Sequence, residues 1–94
     1  MFDLTTVLSQ NKDCPVREVD EGVVILGPSG DMAHSLEGLG AFIWSELDGS
    51  QDLGAVLAVI LEEYDIDEDT ARTDLLEFAD QLAEAGLVIE RASG

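Results

Sequence analysis

Ninety-four residues make one domain, with room for a single core but not for a deep catalytic cavity beside it. A hydrophobic share of 46% excludes intrinsic disorder. Twenty-one acidic residues against four basic ones leave a net charge of −17, which speaks against nucleic acid and anionic membrane surfaces and favours partners with positive patches.

Residues 1–15 carry weak signals. Phe2, Leu4, Val7 and Leu8 are apolar, and the polar stretch Asn11 to Pro15 ends the run. This part reads as an N-terminal arm that packs loosely or not at all, so the domain proper is expected over 16–94. The start lacks the basic and apolar regions of a signal peptide, and the longest apolar run, Ala55 to Leu61, is far too short to span a membrane. Cys14 is the only cysteine, so no intramolecular disulfide is possible, which fits a reducing, cytoplasmic setting. Its acidic, flexible surroundings would raise the thiol pKa rather than activate it.

Val16 to Asp20 reads as a first strand. The β-branched run Val23 to Leu26 is a second, and Gly27-Pro28-Ser29-Gly30 is turn punctuation. Met32 to Leu36 closes a hairpin as a third strand, with Met32, His34 and Leu36 on one face and Ala33 and Ser35 on the other. The period then changes to that of a helix. Leu39, Phe42, Ile43 and Leu47 recur at helical spacing, and Asp48-Gly49 stops them. Trp44 is out of phase with this stripe and is expected to pack on the sheet or a neighbouring helix.

Leu53, Val56, Leu57, Ile60 and Leu61 form the clearest stripe, capped by Ser50 or Asp52. Asp67 is the N-cap expected for a third helix, with Glu68 and Asp69 favourable in its first turn. Ala71, Leu75, Phe78 and Leu82 are its core stripe, Gly86 its C′ residue, and Leu87-Val88-Ile89 a short apolar tail returning to the core. The fold class expected is α+β: a small winged-helix-like domain, a three-stranded antiparallel sheet followed by three helices.

These residues carry a resemblance. Leu36 ends the third strand, Ala41-Phe42-Ile43-Trp44 sits in the first helix, and Leu47-Asp48-Gly49 follows. Leu53, Ile60-Leu61 and Tyr64 come next, then Asp74-Leu75, Phe78 and Leu82 to Val88. In this register the chain resembles the PqqD-like family, the small domains that recognise precursor peptides of ribosomally made natural products. The resemblance spans about residues 16–89. Glu37 departs from it, since the family usually shows Asn there.

The resemblance implies a non-catalytic adaptor. It would bind the leader of a precursor peptide as a strand beside the third strand and against the third helix. It would then present the peptide to a modifying enzyme, often a radical S-adenosylmethionine enzyme. No cofactor or metal is expected, and the state is expected to be monomer or weak homodimer. Strand addition needs an exposed sheet edge, and Asp31, Met32, Ala33, His34 and Ser35 are the candidate edge. Beside the core stripe of the third helix run Arg72, Leu76, Ala79 and Ala83, with Asp80 at the fringe. They are the candidate second wall, and Asp80 and Glu84 would suit a basic residue on the ligand. The bland alternative is that this stripe is more core or a self-association face.

Other classes fare worse. The Glu62-Glu63-Asp65 and Asp67-Glu68-Asp69 runs read as solvated faces, without the spacing of a calcium loop. His34 is the only histidine and lacks neighbouring partners for a metal or a proton relay. His34-Ser35-Leu36 faintly echoes the site where carrier proteins receive phosphopantetheine on a serine, so an acyl or peptidyl carrier is the alternative, with the group on Ser35. A winged-helix DNA binder is opposed by seven carboxylates against one arginine between Asp67 and Ala85.

Overall fold

The computed structural model describes residues 2–28, 30 and 32–91. Strand β1 spans Val7–Gln10, β2 Val16–Val19, β3 Gly22–Leu26 and β4 Ala33–Glu37. Helix α1 (Leu39–Glu46), strand β5 (Asp48–Asp52), helices α2 (Leu53–Glu63) and α3 (Glu68–Glu84), and strand β6 (Val88–Arg91) complete the described chain. The three-stranded antiparallel sheet and the three helices match the expectation from sequence, with β4 beginning one residue later than expected, at Ala33.

Helix boundaries follow local chemistry. The Asp52 carboxylate accepts the Ala55 N–H at 2.9 Å and caps α2, which settles that cap on Asp52 rather than Ser50. Asp67 accepts the N–H groups of Asp69 and Thr70 at the start of α3. Gly86 ends α3 with φ +77°, a conformation that β-carbons penalise. At the turn into α1, where Glu37 departs from the family pattern, Gly38 takes φ +58° and makes the bend.

The N-terminal region is not a loose arm. β1 is the middle strand of a second sheet, in the order β5-β1-β6, and Leu8 is fully buried. β5 is also new, because Asp48-Gly49 both stops α1 and begins a strand. Backbone groups that the helices leave unpaired explain why the N-terminal segment is held. Gln10 N–H donates to Leu47 O, Leu53 N–H to Thr6 O, and Gly54 N–H to Leu4 O. The Gln10 side chain donates to Trp44 O and the Asn11 side chain to Gly86 O, each at 2.8 Å. Helix ends carry such orphan groups, and here the first eleven residues satisfy several of them.

The core gathers Leu8, Ile25, Leu47, Leu53, Val56, Ile60, Leu75 and Leu87, each enclosed almost completely. Trp44, although out of phase with the α1 stripe, is buried in this core. Phe42 and Tyr64 meet edge to face, with ring centroids 5.4 Å apart, and so tie α1 to the end of α2.

Candidate functional site

The first sheet has the order β2-β3-β4, so β4 pairs with β3 on one side only. Val23 faces Leu36, Val24 faces Ser35, Ile25 faces His34 and Leu26 faces Ala33. Because strand side chains alternate, Val23, Ile25, His34 and Leu36 share the inward face. Ile25 is fully buried, and His34 and Leu36 are half-buried. Ala33, Ser35 and Glu37 are exposed on the other face.

Both outer strands are edges, and they differ in chemistry. β2 is preceded by Pro15, carries Arg17 and Glu18, and is exposed along its whole length. Proline and charge are the devices that discourage strand pairing. β4 has neither proline nor a charge before Glu37. Met32, just before it, leaves 62% of its surface exposed, an unusual state for a large apolar side chain.

The α3 region meets the turn of the β3–β4 hairpin and the helix that follows β4. Gly86 lies against Pro28 in the hairpin turn, and a β-carbon there would stand 3.0 Å from Pro28 Cγ. Gly40, three residues beyond β4, lies against the Phe78 ring, 3.4 Å from where its own β-carbon would be. The hairpin turn thus lies at the end of α3, and the chain beyond β4 lies at Phe78.

The expected α3 stripe is distributed unevenly. Ala79 is fully enclosed, so it belongs to the core and has no surface to offer a ligand. Arg72 is turned along its own helix towards Glu68 and Asp69. Leu76, Asp80 and Ala83 are half-buried. At 100° per residue, Phe78 lies about 160° round the helix from Leu76 and about 140° from Ala83. The α3 flank that meets the residues after β4 is therefore the one with Asp74, Phe78, Gln81 and Ala85. Sequence reading put Phe78 in the core stripe, and it does pack against the core, but its contact with Gly40 was not foreseen; an aromatic at the margin of the stripe was the available signal.

Asp31 lies outside the described residues. Ser35 is in mid-strand, opposite Val24, whereas a carrier's modified serine needs the start of a helix, so the carrier reading has no support here. Cys14 is 4% exposed, with its thiol near Gly86 O, so its setting is buried rather than flexible. Its pKa is raised as expected, but by burial first and the Asp13 charge second. Among the described residues no three His, Cys, Asp or Glu side chains converge in a way that could hold a metal ion. No helix among them is long and apolar enough to cross a membrane.

Comparison with known proteins places this geometry. A solved structure described as TbiB1 in complex with the TbiA(beta) leader peptide is similar, with a TM-score of 0.79 and 26% sequence identity. The match covers 90% of this chain and 99% of that one. No curated protein matches the sequence. The family model for coenzyme PQQ synthesis protein D matches residues 22–88, from the first residue of β3 to the first of β6. The chain belongs to the coenzyme PQQ synthesis protein D family.

Proposed function

We propose that this protein is a peptide-recognition adaptor. It takes the leader of a ribosomally made precursor as an added strand on the outer edge of β4 and presents the peptide to a modifying enzyme. The observation that carries the reading is the one-sided pairing of β4 in a fold shared with a protein solved in complex with a leader peptide. An added strand completes the hydrogen bonding that an edge leaves open, and pockets for alternate side chains supply specificity.

Met32, Ala33, His34 and Ser35 form the accepting edge. On α3, the contact of Phe78 with Gly40 supports the flank bearing Asp74, Gln81 and Ala85 as the second wall. The stripe of Arg72, Leu76 and Ala83 is the weaker candidate, because Ala79 within it is enclosed. The carboxylates of α3 favour a leader with basic residues, and such attraction weakens with salt.

Titration of the leader encoded beside this gene into the labelled protein tests the reading by NMR. Shifts should concentrate at Met32 to Ser35 and along one flank of α3. N-methylating alternate leader amides should abolish binding in one parity and spare it in the other, because only every second N–H of an added strand points to the edge. Equal losses in both parities would refute strand addition. Gln81→Trp should weaken the leader at least tenfold while Asp80→Lys does so much less; the reverse order would restore the Arg72–Ala83 stripe.

A further inference from the structure

A depression of about 430 Å³ opens at the β2–β3 turn and reaches the end of β4, where Ser35 and Leu36 also line it. Val19 and Val24 are among its walls, Gly22 lies between them, and Asp20, Glu21 and Glu37 also line it. Gly22 cannot be replaced without displacing the neighbouring strand, since a β-carbon there would run into the carbonyl of Leu36. Val19 is 47% exposed, a large apolar side chain that the fold covers only in part. No cation lines the depression, and Arg17, across from Val24, forms no ion pair among the described residues.

We propose that this depression is a second docking site, and that its occupant is an arginine on a basic surface of the enzyme the adaptor serves. The chemistry selects the side chain. An apolar ligand would cover the valines but strip water from three carboxylates, and an anion would be repelled. A neutral polar group would leave the valine methyls uncovered. An arginine lays its methylene stem on the valines and its charged, forked head among the carboxylates. The net charge of −17 steers a basic partner towards the protein. Of the accepting edge only Ser35 lines the depression, so Met32 to His34 stay free for a peptide while the enzyme is held. The inference rests on the adaptor reading for the identity of the partner, but not for the existence of the site.

The test titrates the full-length labelled protein with N-acetyl-arginine amide, with N-acetyl-citrulline amide as a neutral control of nearly the same shape. Saturable millimolar shifts at Val19 to Val24 and at Glu37 are expected with the arginine compound. They should be at least threefold smaller with citrulline, and with the Asp20→Asn, Glu21→Gln double variant. Shifts spread evenly over all acidic surfaces, or none at the β2–β3 turn, would overturn the site. If the leader peptide alone produced these same shifts, the enzyme would be overturned as occupant. Leader binding itself is read at Met32 to His34, which do not line the depression, so a failure of the adaptor reading shows at different amides from a failure of this one.

Discussion

Gly86 and Pro28 touch across the fold: the residue that ends α3 lies where a β-carbon would stand 3.0 Å from the proline ring of the β3–β4 turn. Gly86 also has φ +77°. Backbone conformation and packing thus make the same demand at one position. The contact sets how the hairpin with the candidate peptide edge lies against the helix.

Gly86→Ala is expected to destabilise the protein by about 1–3 kcal/mol, about 1 from the left-handed backbone and the rest from the ring contact. Chemical denaturation measures it. In a Pro28→Ala background the same change should cost less, because only the backbone part remains. An equal cost in both backgrounds would mean that the contact contributes nothing.

Leu8→Ala should cost about 2–5 kcal/mol, as for a fully enclosed leucine. Removal of residues 1–10 should unfold the domain rather than trim it, since β1 is the middle strand of its sheet. A truncated protein with an unchanged denaturation midpoint would restore the reading of a loose arm.

Ala79→Leu should cost about 1–3 kcal/mol through overpacking, because Ala79 has no exposed surface. Asp80→Lys, on a half-buried neighbour, should leave the denaturation midpoint almost unchanged. Comparing the two midpoints separates a packing position from a surface one and shows which is usable in binding experiments.

Burial and the Asp13 charge hold the Cys14 thiol above its ordinary value of 9.0. The folded state therefore keeps this proton to higher pH than the unfolded chain does. The stability linked to it is present in full below the unfolded value and is lost as pH rises towards the folded one. At pH 8 the thiol should react with a disulfide reagent at least a hundredfold more slowly than in denaturant. Rapid reaction of the native protein would contradict the burial.

The Ser50 hydroxyl, and then the Ser50 N–H, hold the Asp48 carboxyl below its ordinary 3.8. Its folded pKa is depressed, so its contribution is present above the unfolded value and lost as pH falls through the folded one. Ser50→Ala should reduce the loss of stability between about pH 4 and pH 2, read by denaturation at a series of pH values. An unchanged acid limb would remove this pair from the account.

Helices and hairpin were legible in the sequence because their causes are local. Asp52 and Asp67 cap the helices that follow them, Gly86 ends α3, and the stripe from Leu53 to Ile60 is buried. β1 and β5 were not legible. Val7–Gln10 has no alternation of its own, and Asp48–Asp52 is the polar run Asp-Gly-Ser-Gln-Asp that otherwise reads as a stop. Each is a strand because distant segments supply its hydrogen bonds, as Val7 pairing with Arg91 illustrates. Propensity over four or five residues carries no such information.

The candidate site divides along the same line. Sequence alone determined the family pattern, the negative charge and the strand ending near Leu36, since each depends on residue identity and short spacing. Tertiary structure alone decided that β4 is an edge, that Ala79 is enclosed, and that Phe78 rather than Leu76 marks the flank of α3 meeting the chain just beyond β4. The physical reason is rotational. A helix turns 100° with each residue, and its pattern shows which residues share a face but not what a face meets. Contacts more than thirty residues apart, Gly40 with Phe78 and Pro28 with Gly86, set that orientation here.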